Sequence, residues 1–403
     1  MRTAVIVLGD LGRSPRMQYH AVSLAEAGSE VELIGLEGAA VIPAVASHAR
    51  IHVHRLPDHA FSTRSQGGVR RFVAGSVGRA VAQAWKLFRV LMRIARPDAI
   101  LVQNPPAVPT LAVAWAVARL RGARLIIDWH NLSHTVAAVK LGEHHRAVRA
   151  LARSERRWAA KADAHLAVSR ALADWLLREY GITAAVVYDR PVDAFATPSE
   201  TRARELWSAL SRDLQLPAVR LPIVVCPTSW TPDEDFDLLL EAMERAERQL
   251  DSGEPKLLIC LTGRGPMREA FEQRLARRAF TSLVVCTVWL EPRDYPVLVG
   301  MASMGVCLHQ SSSGLDLPMK LADLRGAGVP AACYDYAPVL AEALTGGHEG
   351  VLFRDADGLA STLVGLATRT QGDVERSRDW LAAHPPERWH ATWNASARPV
   401  LIK

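Results

Sequence analysis

No apolar run in this 403-residue sequence approaches the roughly 20 residues that a membrane-spanning helix needs. Met1-Arg2-Thr3 leads directly into the strand-like run Ala4–Leu8, so no signal peptide is expected and the chain is expected to stay in the cytoplasm. Cysteine is scarce. The five residues Cys226, Cys260, Cys286, Cys307 and Cys333 fall in or at the end of separate apolar runs, with neither a CxxC pair nor a zinc-like spacing, which leaves buried reduced thiols. Aromatics make up 6% of a chain that is 49% hydrophobic, a balance that suits a folded protein rather than a disordered one.

Acid is short in one half only. Through Phe195 there are 26 Lys/Arg against 15 Asp/Glu, whereas the remainder holds 22 against 27. Residues 50–97 carry ten basic residues and one acid, Asp58. Such asymmetry points to a polyanionic partner, either nucleic acid or an anionic lipid surface, with a well-solvated surface that has no partner as the alternative. No nucleic-acid-binding motif accompanies the charge, so nucleic acid is not expected and an anionic membrane surface is. Within Val69–Pro97 the residues Val73, Val77, Val81, Trp85, Phe88, Met92 and Ala95 recur at helical spacing; this stripe is expected to face the core, with the basic side toward lipid headgroups.

Two further absences narrow the chemistry. Gly9-x-x-Gly12 follows the first strand, but Asp10 and Arg13 occupy positions that a dinucleotide fingerprint reserves for open backbone, so a nicotinamide cofactor is not expected. No strand-end Asp-x-Asp stands ready for a metal. Asp233-Glu234-Asp235 follows Thr231 and Pro232, and Thr231-x-x-Glu234 has the form of a helix capping box.

What is present is alternation. Short apolar runs interleave with helical patterns, the sign of α/β domains with parallel sheets. The first-half strand candidates are Ala4–Leu8, Val31–Leu36, Ile51–Val53, Ala99–Val102, Arg124–Ile127, Ala164–Val168 and Ala185–Tyr188; the second-half candidates are Ile223–Cys226, Lys256–Leu261, Leu283–Cys286, Gly305–Leu308 and Ala331–Cys333. Each set is expected to make one sheet. The expected division is a first domain at 1–195, a proline-bearing linker at 196–220, a second domain at 221–375 and a helical tail at 376–403 packing on a domain surface. Past Gly350 the pattern reads as helical.

Ligands of open parallel sheets gather at the carboxyl ends of the strands, so the loops there are the candidate site, expected in a cleft between two domains. The loop Ser311–Lys320 places hydroxyls and Gly314 before Pro318 at a helix start, where amides, the helix dipole and Lys320 suit a diphosphate. Arg264, flanked by Gly263 and Gly265, offers a guanidinium to the same kind of group. In the first half, Asp10 is open to two readings, a base for a substrate hydroxyl or a cap of the helix that follows. Arg13 and Arg16 suit an anionic acceptor. His130, after Asp128 and Trp129, reads either as a sugar or phosphate contact or as a satisfied polar side chain.

Taken in order, the segments resemble one family, the β-1,4-mannosyltransferases that add the first mannose to dolichyl-diphosphate-linked chitobiose. The matching stretches are 7–20, 102–106, 126–131 (Ile-Ile-Asp-Trp-His-Asn), 187–191, 228–231 with 233–236, Trp289–Leu290–Glu291, 294–296 and 311–320. The resemblance implies a GT-B fold: two Rossmann-like domains facing across a cleft, the first binding acceptor, the second binding GDP-mannose. It implies an inverting, metal-independent transfer to a polyprenyl-diphosphate-linked GlcNAc acceptor. Among the matched residues the catalytic candidates are Asp10, taken as the base from its place at the end of the first strand, and His130, taken as a donor-sugar or phosphate contact. Donor binding falls to Ser229, Gly263, Arg264, Gly265, Trp289, Leu290, Ser312, Ser313, Gly314, Leu315, Asp316, Lys320 and Asp323, and acceptor binding to Gly12, Arg13, Ser14, Arg16, Asn104 and Pro105.

Two departures stand out. Eukaryotic members begin with a membrane anchor that this sequence does not show, so peripheral attachment at the cytoplasmic face is expected. The family's glycine-flanked lysine is Arg264 here, which keeps the charge and changes its geometry. The missing anchor and the high Ala and Arg content suggest a prokaryotic-type homologue, with the lipid carrier and the sugar left open. Another GT-B transferase and a non-catalytic nucleotide-sugar-binding subunit stand as alternatives.

Overall fold

The computed structural model describes every residue except 58–68, 215, 217–220, 251–252, 346, 369–371 and 403. The chain forms two compact units, Met1–Tyr188 together with His390–Lys403, and Asp189–Trp389.

The first unit holds a seven-stranded parallel sheet in the order β3-β2-β1-β4-β5-β6-β7. Its strands are β1 (Arg2–Asp10), β2 (Glu30–Leu36), β3 (Ile51–Leu56), β4 (Ala99–Asn104), β5 (Arg124–Trp129), β6 (Ala164–Ala167) and β7 (Ala185–Val186). Ala4–Val7 and Ile100–Val102 lie at its centre and are buried on both faces, which is why they read as unbroken apolar runs. The chain winds outward from β1 in one direction and from β4 in the other. The loops after these two strands therefore flank the switch point of the sheet.

The second unit repeats the plan with six parallel strands in the order β10-β9-β8-β11-β12-β13. They are β8 (Ile223–Pro227), β9 (Leu257–Thr262), β10 (Leu283–Val288), β11 (Met304–Cys307), β12 (Ala331–Tyr334) and β13 (Gly350–Phe353). Alternate residues feed two cores. Val224, Cys226 and Ile259 pack under helices 236–250 and 356–368, while Ile223, Val225 and Cys260 pack under helices 200–213 and 319–326. All five cysteines are buried free thiols within these strands. Here the switch point lies between β8 and β11.

Three expectations change. The edge strand β13 stands where a helical pattern was expected. The expected linker is not separate from the second unit: it lies within that unit, where helix Glu200–Asp213 buries Ala203, Leu206 and Leu210. The tail divides: Arg388 donates to Phe195 O within the second unit, while Arg124 donates to Val400 O within the first.

Helix Val69–Arg93 differs from expectation more consequentially. Its core-facing residues are Leu87 and Leu91, followed by Ile94 just past the helix, all buried. Val81, Trp85 and Met92 of the expected core stripe are 63%, 59% and 42% exposed. The side chains of 69–77 and 79, which include Val73 and Val77, lie outside the described residues.

Candidate functional site

In the first unit the loop after β1 turns through Leu11–Arg13 and enters helix Pro15–Glu26. Asp10 caps that turn. Its carboxylate accepts from Gly12 N at 3.0 Å and from Ala39 N at 3.0 and 3.2 Å, tying the β1 loop to the loop after β2. Gly12 fits only without a side chain, since a Cβ there would lie 2.4 Å from Ala40 O. Ser14 Oγ donates to Asp10 O, and Arg13 is exposed.

Arg16 is not an acceptor contact. It is 1% exposed, and its guanidinium grips Asp128 through Nε at 2.8 Å and Nη2 at 3.0 Å while Nη1 donates to Val187 O at 2.8 Å. Asn104 is likewise buried: Nδ2 donates to Glu155 and to Asn131 O, and Oδ1 accepts from Ser133 Oγ. Both were expected at an acceptor, and both instead brace the strand ends. Pro105 follows, half-buried.

The centre of this region is Asp128, at the end of β5. Besides Arg16 it meets His130 Nε2 at 2.9 Å and His20 Nε2 at 3.3 Å. Burial works to raise the Asp128 carboxyl, but the Arg16 guanidinium and the two imidazoles outweigh it and hold it well below the usual carboxylate range. A carboxylate kept ionised directs the His130 Nε2 proton toward itself, leaving Nδ1 of a neutral His130 as the accepting atom. His130 is 21% exposed, so the ring reaches solvent.

In the second unit four loops at strand ends converge. Gly263, at φ +96, and Gly265 let the loop after β9 run against the loop after β8: a Cβ would come within 2.0 Å of Thr228 O or 2.1 Å of Ser229 O. Arg264 between them lies over Trp289, just past β10, with Cζ 4.1 Å from the ring centroid. Leu290 beside it packs on the core. Trp230 holds φ +55, unusual for a bulky residue, and is pinned by stacking on Phe236 at 4.6 Å and by donating to Thr262 O.

The acid triplet after β8 has three separate tasks. Asp235 caps helix Phe236–Leu250 by accepting from Leu238 N. Glu234 accepts from Ser229 N at 2.8 Å and Trp230 N at 2.9 Å, and its other oxygen forms an ion pair with Lys320. Asp233 lies 3.3 Å from His309 Nδ1, and Asp316 lies 3.2 Å from its Nε2. Burial opposes a charge on His309; the two carboxylates overcome it and push the imidazole up to about 10, while Asp233 falls to about 2. His309 is therefore a cation at neutral pH. Lys320 is raised as well, Glu234 outweighing its burial.

The serine loop is internally bonded. Ser311 Oγ accepts from Gly314 N at 2.9 Å and Ser313 N at 3.3 Å and bonds Asp316; Ser313 Oγ accepts from Leu315 N at 3.2 Å. Helix Met319–Gly326 begins after Pro318, its N-cap. Ser312 sits in the same loop, partly exposed. Asp323 is pushed well above the usual carboxylate range by burial and by the nearby Asp189, against the pull of Lys320.

Sequence reasoning missed Asp128, Glu234 and His309 as site residues. Only Asp128 carried a local signal, as an acid two residues before a strand-end histidine.

A family model described as a glycosyl transferase 4-like domain matches residues 12–188. The chain is 34% identical to the chitobiosyldiphosphodolichol beta-mannosyltransferase of Mus musculus over 98% of this chain and 88% of that one. With the Homo sapiens protein of the same name it is 35% identical over 98% and 92%. It is 33% identical to the UDP-glycosyltransferase TURAN of Arabidopsis thaliana over 100% and 97%. Among solved structures, Anabaena Alr3699/HepE in complex with UDP-glucose superposes with a TM-score of 0.68 at 13% identity over 99% and 98% of the two chains. A glycosyltransferase from Rickettsia africae ESF-5 gives 0.63 at 13% over 98% and 96%. These structural likenesses establish the GT-B fold.

Proposed function

Because the chain belongs to the chitobiosyldiphosphodolichol beta-mannosyltransferase family, we propose that it transfers mannose from GDP-mannose, with inversion, to O4 of a polyprenyl-diphosphate-linked GlcNAc acceptor. The observation that carries the reading is the Asp128–His130 pair at 2.9 Å. Inversion by direct displacement needs one base: as the acceptor oxygen bonds to the anomeric carbon, its proton passes to that base and the carbon–phosphate-oxygen bond breaks, its electrons leaving with GDP. His130 Nδ1 suits this role. Both oxygens of Asp10 already accept amide hydrogen bonds, which favours the capping reading for that residue.

Charge gathering on the leaving diphosphate would be met by Arg264, Lys320 and His309 without a divalent metal. Lys320 and His309 already face carboxylates. Arg264 is held by an aromatic face, so its charge is the least offset. Asp316 and Asp323 suit donor hydroxyls. Arg13, Gly12 and Ser14 border the acceptor side. The proposed attachment to the cytoplasmic membrane face runs through the basic first unit; among the described residues no helix is long and apolar enough to cross a membrane.

A second reading, a UDP-sugar donor, is favoured by the name of the Arabidopsis relative. One assay separates the two: purified protein with a short-chain lipid-diphosphate chitobiose and either GDP-mannose or UDP-sugars, with and without EDTA. Transfer from GDP-mannose in EDTA is expected. Transfer from UDP-sugars alone overturns the donor, and loss in EDTA overturns the metal-independent step.

A further inference from the structure

Helix Val69–Arg93 carries apolar residues on two sides. Leu87 and Leu91 face the core. Val81, Trp85, Phe88 and Met92, spaced by four, three and four residues, form a second line: Val81, Trp85 and Met92 are exposed, and half-buried Phe88 stacks with Trp85 with ring centroids 6.0 Å apart. A helix needs one apolar stripe to fold, and this second line lies largely exposed among the described residues. Arg89 and Arg93, each one position beyond a stripe residue, are exposed on its flank. From residue 59 to residue 97 the sequence contains no Asp or Glu.

We infer that the exposed face of this helix is an interfacial membrane surface: Val81, Trp85, Phe88 and Met92 enter the headgroup–acyl boundary of an anionic bilayer while Arg89 and Arg93 meet lipid phosphates. Each feature selects this occupant. Tryptophan suits the interface because its ring is apolar and its N–H is polar. Charge of a single sign beside the stripe complements an anionic surface and opposes pairing with a second copy, which would set arginine against arginine. Nucleic acid would use the arginines but would have no need of Val81 and Met92. The inference deepens the peripheral attachment proposed above. It also changes its basis, because the stripe itself, and not only the basic side, makes the contact.

The test is flotation of the full chain with phosphatidylcholine vesicles, with and without phosphatidylglycerol. Binding to the anionic vesicles is expected to fall at least tenfold in Trp85→Glu/Met92→Glu and severalfold in Arg89→Ala/Arg93→Ala or at high salt. Should the first variant melt earlier than the parent, Trp85→Gln/Met92→Gln replaces it, and the same loss is expected. Equal flotation of parent and variants, or no flotation of the parent, overturns the inference. So does a parent dimer that Trp85→Glu/Met92→Glu makes monomeric, because a second copy then covers the stripe. Turnover on a short-chain, detergent-dispersed acceptor is read separately and is expected to survive these substitutions, so failure of the membrane surface and failure of the transferase reading give different results.

Discussion

The indole N–H of Trp393 donates to Nδ1 of His20 at 3.0 Å, and both side chains are buried. An indole nitrogen only donates, so His20 Nδ1 accepts and its proton sits on Nε2, which lies 3.3 Å from Asp128. Burial lowers His20 more than Asp128 raises it, and the ring stays neutral. Trp393→Phe removes this donor and leaves a small void. It is expected to destabilise the first unit by about 1–3 kcal/mol, measured by denaturant unfolding. An unchanged midpoint would show that the bond does not anchor the segment.

Asp128→Asn should be more severe, since it strands the buried Arg16 charge. A loss of about 3–5 kcal/mol is expected for such a broken pair, together with loss of turnover. His130→Ala spares that pair, so it isolates the chemistry. Its kcat should fall roughly a hundredfold or more with GDP binding nearly intact. Asp10→Asn provides the contrast: a fall in kcat matching that of His130→Ala, at parental stability, would return the base assignment to Asp10.

The His309 clamp makes stability depend on pH. The imidazole rises from an ordinary 6.5 to about 10 on folding, so its contribution is fully present below pH 6.5 and is lost as pH rises through about 10. The second unit should therefore lose stability across that window, by about 2–4 kcal/mol when partial exposure is allowed for. In His309→Gln the slope should flatten. Urea midpoints at pH 6, 8 and 10 provide the check, and a parent midpoint independent of pH would show that the clamp does not stabilise the fold.

Lys320→Ala is expected to weaken GDP binding and also to destabilise, because Glu234 is left buried without its cation at a cost of about 3 kcal/mol. Lys320→Met/Glu234→Gln removes both charges and should recover much of the stability while GDP binding stays weak. Calorimetric titration with GDP decides between the roles. Parental affinity in the double variant would make Lys320 a partner of Glu234 and nothing more.

The strands were legible in the sequence wherever both faces are buried, since such strands appear as unbroken apolar runs between turn residues. The edge strand β13 was not. It has four residues with Leu352 half-exposed, so its pattern did not stand out from the helices around it. The site residues divide along the same line. Arg264 and the serine loop declare themselves locally through glycine and hydroxyl spacing. Arg16 looked like an exposed helix-start arginine because its partner, Asp128, is 112 positions away. His309 gave no sign because its two carboxylates come from opposite directions along the chain. Glu234 was hidden by a local pattern that matched a helix cap, a task that Asp235 performs instead.

The final segment, His390–Lys403, is a component of the unit that begins at Met1. During synthesis the first sheet therefore lacks part of its unit until the whole intervening unit has been made and the segment from His390 follows it. A truncation or insertion within 390–401 thus disturbs the unit whose sheet is made before the other.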